Sequence, residues 1–409
     1  MMCFIIQNLV YHEPQLTSPR KKVITTVSSQ STLGKLPKPN HQNMECQNPL
    51  INKNGEEDIE MAAKRVTAYE APPECKVSGI VFQSAALVLA LHYPNAKLVP
   101  VVLFCLSFSQ KEPKWDKWKE NAITVAGGKG EGQQLNQLNR PFGIFIDKNK
   151  NIFIADCENH RIIEWKYNAK QGQVIAGGNG KGNRTDQLNC PTDVIVDEKN
   201  HSIILSDMSN RRVIQWLNQT QQILIHNINC YGLAMDKYGY LYVSDTEKNE
   251  VRRWKMGEYN EGTVVAGGNS QGNKRNQLDR PAYTFVDKDQ SVYVSDWGND
   301  RVMKWRKDTK EGRVVAGGNC RGGNLNQLFF PEGVIVDDLG QIYVVDPWNN
   351  RIMRWCEGKK KGEIVVGGKV SGNQSNQLRW PTGLSSDDEG NLYVVDPRNN
   401  RIQKFEIVL

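Results

Sequence analysis

Six aspartates recur along the C-terminal two thirds of the chain: Asp156, Asp207, Asp245, Asp296, Asp346 and Asp396. Five of them open the pattern D-x-x-N-x-R, which sets Arg161, Arg212, Arg301, Arg351 and Arg401 five residues after the acid. The copy at Asp245 drifts, with Asn249 and Val251. A carboxylate can serve as acid, base or metal ligand, but each use needs other groups converging on one point. A carboxylate that returns again and again with its own guanidinium fits a turn better. Asp and Asn bond back to nearby backbone, and arginine clamps the acid across a hairpin. These residues are therefore expected to be structural.

The remaining reactive residues are scattered. His160, His201 and His226 fall in two different turns and an outer strand, so they are not expected to meet. None of the nine cysteines forms a C-x-x-C pair, which leaves a zinc-finger or RING-type site without ligands. Cys190 and Cys230 both stand just before the first strand of adjacent repeats and are the candidate disulfide. A recurring G-G-x-x-x-G-x-x-x-N-Q-L-x-x-P loop lacks G-K-[ST] and opens no helix, so it is not read as a phosphate cradle. No catalytic residue, cofactor or metal is expected. Asn183, Asn218 and Asn373 begin N-x-[ST] sequons in expected exposed turns.

What must position these residues is read from one stretch. In 331–368 three polar turns separate four apolar runs, Gly333–Asp337, Gln341–Asp346, Arg351–Trp355 and Glu363–Val366, rich in Val, Ile, Tyr and Trp. Those are strands joined by hairpins. An aromatic closes the third strand of every copy: Trp165, Trp216, Trp254, Trp305, Trp355 and Phe405. The period is about 50 residues with one shorter step, and a four-stranded unit of that size cannot bury both faces alone. Six copies predict a six-bladed, all-β propeller of antiparallel blades over 122–409. The sixth copy lacks its fourth strand, while Ile123–Ala126 matches the missing piece. The N-terminal strand is therefore expected to join the last blade and close the ring, leaving no sheet edge. Between the second and third copies the long loop is missing, which should leave a notch in the rim and marks a candidate site.

Residues 1–76 are rich in Gln, Asn, Ser, Pro and Lys and are expected to be a disordered extension. Residues 77–110 are apolar. Their runs Gly79–Leu91 and Leu98–Phe108 are divided by a polar stretch, and each is short for a membrane span. The second has the shape of a signal h-region with small residues after it, so the segment reads as a signal or a membrane anchor. Residues 111–121 read as a linker. The formal net charge of +7 is mild, and Lys359-Lys360-Lys361 falls in a hairpin turn. Nucleic acid is therefore not an expected partner.

The motifs P-x-G-[VI]-x-V-D, G-x-I-Y-V-x-D and N-x-R-I-x-x-W resemble the NHL repeat, with Asn159-His160 nearest to its name-giving triplet. The kelch repeat has a similar period but lacks this pairing. The resemblance implies a six-bladed ring whose first strands line a channel. It leaves three functional classes. The expected one is a non-catalytic binding or scaffold protein, monomeric and extracellular or membrane-anchored, that engages a protein or other polymer through loops on one face. The alternatives are an intracellular adaptor of the tripartite-motif kind, serving as ubiquitin-ligase receptor or RNA binder, and an enzyme like the propeller lyases and lactonases. The first alternative lacks upstream zinc-ligand cysteines; the second lacks a histidine cluster.

Overall fold

The computed structural model describes residues 117–217, 220–368 and 370–408. The expected disordered extension, the apolar segment, linker residues 111–116 and Asn218 lie outside the described residues. Within them the chain forms six four-stranded antiparallel sheets and one two-stranded sheet. The fifth blade consists of Val334–Val336, Gln341–Asp346, Arg351–Cys356 and Glu363–Gly367. It follows the apolar runs because residues alternate between the two adjacent blades, each of which offers an apolar face.

Blades are held by what lies between them. One apolar cluster fills each junction, as where Tyr293, Val302 and Leu328 meet Ile342, Val344 and Trp355. The aromatics that close the third strands are buried, from Trp216 at 9% exposure to Phe405 at 0%. Leu138, Leu188, Leu278, Leu328 and Leu378, one from each long loop, are at most 1% exposed. Gly317 shows why the loop begins with glycine. Its φ is +67°, and a Cβ there would lie 2.6 Å from the Asp300 carbonyl oxygen.

The ring closes as the repeat count requires. Ile123–Gly127 pairs antiparallel with Arg401–Phe405 and becomes the outer strand of the sixth blade. A second fastening was not expected. Lys117–Trp118, inside the expected linker, pairs with Ile407–Val408. The Trp118 ring meets Tyr343 edge-on at 5.6 Å, and its indole N–H donates to the Gly390 carbonyl at 2.9 Å.

The candidate Cys190–Cys230 disulfide is not formed. Cys190 bonds to Cys157, 33 residues earlier, with Cα atoms 4.0 Å apart. The reason is lateral: the turn after the second strand of one blade touches the residue before the first strand of the next. Two pre-strand positions do not touch. Cys230 instead enters its strand as a buried free thiol whose Sγ donates to the Arg212 carbonyl.

Candidate functional site

The D-x-x-N-x-R turns build one face of the ring. In the first blade Arg161 Nε donates to Asp156 at 2.7 Å, and its other nitrogens donate to the carbonyls of Gln133, Gln134 and Gln137. Asp156 also accepts from the Asn139 backbone N–H at 2.7 Å. The same ion pair joins Asp207 to Arg212, Asp296 to Arg301, Asp346 to Arg351 and Asp396 to Arg401, each at 2.7–2.8 Å and with a fully buried carboxylate. Burial pushes these acids up, Asp296 to about 6, while the arginine and the donated N–H groups pull back. The pair thus ties the long loop to the turn, so both emerge together. The third blade departs: Asp245 accepts from the backbone of Glu247 and Lys248, and Glu250 takes Arg252 as its partner.

A short 3-10 turn follows the aspartate in five blades and ends in a left-handed residue: His160, Arg211, Asp300, Asn350 or Asn400. In four of these blades, and at Asn249 of the third, the side chain reaches the next blade. His160 accepts from Cys190 N–H, Asn249 from Arg280, Asp300 from Phe330, Asn350 from Trp380 and Asn400 from Arg140. The donating residues all precede proline, where extended backbone is the rule. Here their φ values are +47° for Arg140, +52° for Cys190, +50° for Arg280, +54° for Phe330 and +57° for Trp380. Large side chains held in the left-handed region are strained, and such strain clusters at functional sites.

The strained residues assemble an arc across blades four to six. Trp297 stacks on Phe330 with ring centres 3.8 Å apart and 6° between planes. Phe329 stacks on Trp348 at 4.8 Å, and Trp348 meets Trp380 at 4.5 Å. Guanidinium groups lie on the rings: Arg280 over Trp297 at 4.7 Å, Arg321 over Phe330 at 3.9 Å, and Arg398 over Trp380 at 4.9 Å. Trp348 is 44% and Trp380 39% exposed. The Cys157–Cys190 bond occupies the repeat positions of Trp297 and Phe330, so one junction is covalent where another is stacked.

Beside the arc, the short connection 227–229 adjoins a cavity of about 630 Å³. It is lined by Met208 and Arg211 from the second blade, Tyr231 from the third, and Arg280, Trp297 and Glu332 from the fourth and fifth. Glu332 is 8% exposed. The polar ends of Tyr231 and Trp297 beside it favour the ionised form, yet burial dominates and pushes it up to about 8. Its Oε2 has no hydrogen-bond partner among the described residues.

Deeper in the channel Tyr283 donates to the Thr192 carbonyl across the ring at 3.2 Å, and Tyr231 packs edge-on against it at 5.3 Å. Asp193 accepts from Leu233 N–H at 2.8 Å and is raised to about 8 by burial. Asp156, Asp207, Asp296, Asp346 and Asp396 are thus held in buried pairs with their arginines, while Asp245 accepts from its own turn. Glu332, Asp193 and the arc were missed. The signal was available in P-x-G, where blade five places Glu332 at x and blade two places Asp193 where glycine is usual. Arg280, Phe330 and Trp380 likewise stand at one variable position, just before the proline.

The family comparison agrees with this geometry. The NHL repeat profile matches residues 378–405, the long-loop leucine through the closing aromatic of the sixth blade. The chain is a six-bladed propeller whose sixth blade matches the NHL repeat. No curated protein matches it. Solved structures similar to this propeller include a protein of unknown function from Bacteroides thetaiotaomicron, with TM-score 0.58 and 16% identity, covering 70% of this chain and 76% of that one. An auxiliary nutrient binding protein from the same organism has TM-score 0.56 and 14% identity, covering 71% and 77%. Another auxiliary nutrient binding protein, from Bacteroides ovatus, has TM-score 0.55 and 11% identity, covering 72% and 78%. At these identities the likeness is one of fold.

Among the described residues no three His, Cys, Asp or Glu side chains are grouped to hold a metal, and no helix is long and apolar enough to cross a membrane. His160 is spent on Cys190 N–H, and His201 and His226 are exposed elsewhere. Asn183 and Asn373 are exposed, with backbone carbonyls fixed by Arg212 and Arg401.

Proposed function

We propose that this propeller is a non-catalytic binding protein that engages a protein or other polymeric partner through the face carrying the D-x-x-N-x-R turns. The observation that carries this reading is the arc from Arg280 to Arg398. Aromatic and arginine side chains are the usual anchors of interfaces. Here they are held rigid by stacking and by strained backbone, so little side-chain entropy remains to be lost on binding. The variable residues sit on repeated scaffold positions, as expected of a display surface.

An extracellular or membrane-anchored location belongs to the proposal. The Cys157–Cys190 disulfide suits an oxidising compartment, and the exposed sequons at Asn183 and Asn373 are open to glycosylation. A catalytic reading would rest on Glu332, whose raised pKa suits a general acid. The cavity lining offers it no histidine, and its other carboxylate, Glu247, is paired with Arg211 at 2.6 Å. Binding is the better-supported use.

The test is cross-linked capture from extracellular extracts with the wild type, with Trp348→Ala plus Trp380→Ala, and with a control altered at Lys199 and Lys237 outside the arc. A partner lost only from the arc variant is expected. Partners retained equally by all three would overturn the assignment of the face.

A further inference from the structure

We infer that the cavity ending the arc is a socket for a primary ammonium or guanidinium group, carried on a lysine or arginine side chain of a protein partner and paired with Glu332. This rests on the binding reading above and names one contact within it.

The floor of the cavity sets the chemistry. The Tyr231 hydroxyl and the Trp297 indole N–H lie beside Glu332 and favour its ionised form. A buried carboxylate has more acceptor sites than two donors fill. Its Oε2 is without a partner, and at 8% exposure water reaches it poorly. The missing element is a third donor, and a cationic one would also offset the desolvation that now holds the group protonated. The cavity lining holds two carboxylic acids, Glu332 and Glu247, and Glu247 is already paired with Arg211.

The walls set the shape. Met208 and Ala282 offer apolar surface for an alkyl stem, and Asn229, Thr246 and Gln271 add polar surface. Two cations also line the cavity, and they do not oppose a third. Arg211 is bound to Glu247 at 2.6 Å and Arg280 to Asp279 at 3.0 Å, so the rim is locally neutral. The other titratable groups around Glu332 are Tyr231, Tyr283 and Asp193. Burial raises both tyrosines well above their ordinary value and Asp193 to about 8, so all three are uncharged at neutral pH. Continuity with the arc selects a side chain over a free amine. Trp297 and Arg280 belong to both, so a chain lying along the arc arrives with one residue over the socket.

Below pH 8 binding is an exchange. The Glu332 carboxyl gives its proton to solvent, and the carboxylate formed pairs with the incoming cation. Affinity should therefore rise with pH by up to about tenfold per unit until Glu332 titrates, and level off above it.

The experiment is titration calorimetry on the full chain with three blocked amino-acid probes, N-acetyl lysine, arginine and norleucine methylamides, and with 1,5-diaminopentane. Lysine and arginine probes should bind about tenfold or more tightly than norleucine, with proton release read from buffers of different ionisation enthalpy. Glu332→Gln should remove that preference and the pH dependence together. Equal affinity for lysine and norleucine, or pH-independent affinity of the wild type, would overturn the socket. Tighter binding of 1,5-diaminopentane than of the lysine probe would overturn its assignment to a side chain. Arc-dependent partner capture that persists while every cation fails to bind would sink this inference and leave the proposed function standing.

Discussion

Arg351 offers the sharpest test of how the scaffold holds the binding face. Its Nε donates to Asp346 at 2.8 Å, with side-chain exposures of 4% and 0%. Its remaining nitrogens donate to the carbonyls of Gly323, Asn324 and Gln327. Asp346 in turn accepts from Phe329 N–H at 3.0 Å. The pair thus anchors both limbs of the loop that carries Arg321, Phe329 and Phe330. Arg351→Met keeps the stem and removes the charge. Asp346 then stays fully buried with Asn349 and Phe329 N–H as its donors, and three carbonyls lose theirs. Removing one partner of a buried pair costs about 3–5 kcal/mol. For a domain of this size that lowers the midpoint by roughly 10 °C. Adding Asp346→Asn removes the orphaned charge, so the double variant should be more stable than Arg351→Met alone. Urea unfolding of the wild type, both single variants and the double variant gives the coupling energy. A cost below about 1 kcal/mol for Arg351→Met, or further loss on adding Asp346→Asn, would refute the clamp as the anchor of the arc.

Four further outcomes follow from the same geometry. Glu332 and Asp193 bind protons more tightly folded than unfolded, so stability should fall as pH rises from about 5 toward 8; Glu332→Gln and Asp193→Asn should each flatten the fall by up to about 1.4 kcal/mol per pH unit in urea titrations. Reducing Cys157–Cys190, whose loop spans 33 residues, should cost about 3–4 kcal/mol in the unfolding of the reduced chain relative to the oxidised one. Trp380→Gly should change stability by no more than about 1 kcal/mol, because glycine accepts a φ of +57° at no cost, while arc-dependent capture is lost. Deleting 117–127 removes both ring fastenings and should lower the thermal midpoint; an unchanged midpoint would contradict closure through the sixth blade.

Legibility in the sequence follows the range of the interaction. Blade number, strand order and the closing role of Ile123–Ala126 depend on local pattern repeated six times, and each copy checks the others. The Asp–Arg pairs span five residues, so spacing alone suggests them. The disulfide did not follow, because Cys157 and Cys190 meet across a blade junction and only Cys190 occupies a position that looked special. The arc escaped for the same reason. Trp297 and Phe330 are 33 residues apart and differ in type from their counterparts in other blades, so repetition hides rather than reveals them. Glu332 is a single substitution at a position where any residue is tolerated. Its meaning appears only when Tyr231 and Trp297 close around it. The pairing of Lys117–Trp118 with Ile407–Val408 involves strands of two residues each, too short to leave a pattern.

The two fastenings also determine how the ring responds to mechanical load. Lys117 lies opposite Val408, and Ile123 opposite Lys404, so both ends of the described chain leave from one corner of the sixth blade. A pull on these two points loads the paired strands from one end, and their hydrogen bonds break in succession instead of sharing the force. The sixth blade would peel away before its neighbours. Trp380 and Arg398 go with it, so tension between the two ends would shorten the arc and weaken the grip on whatever lies along it.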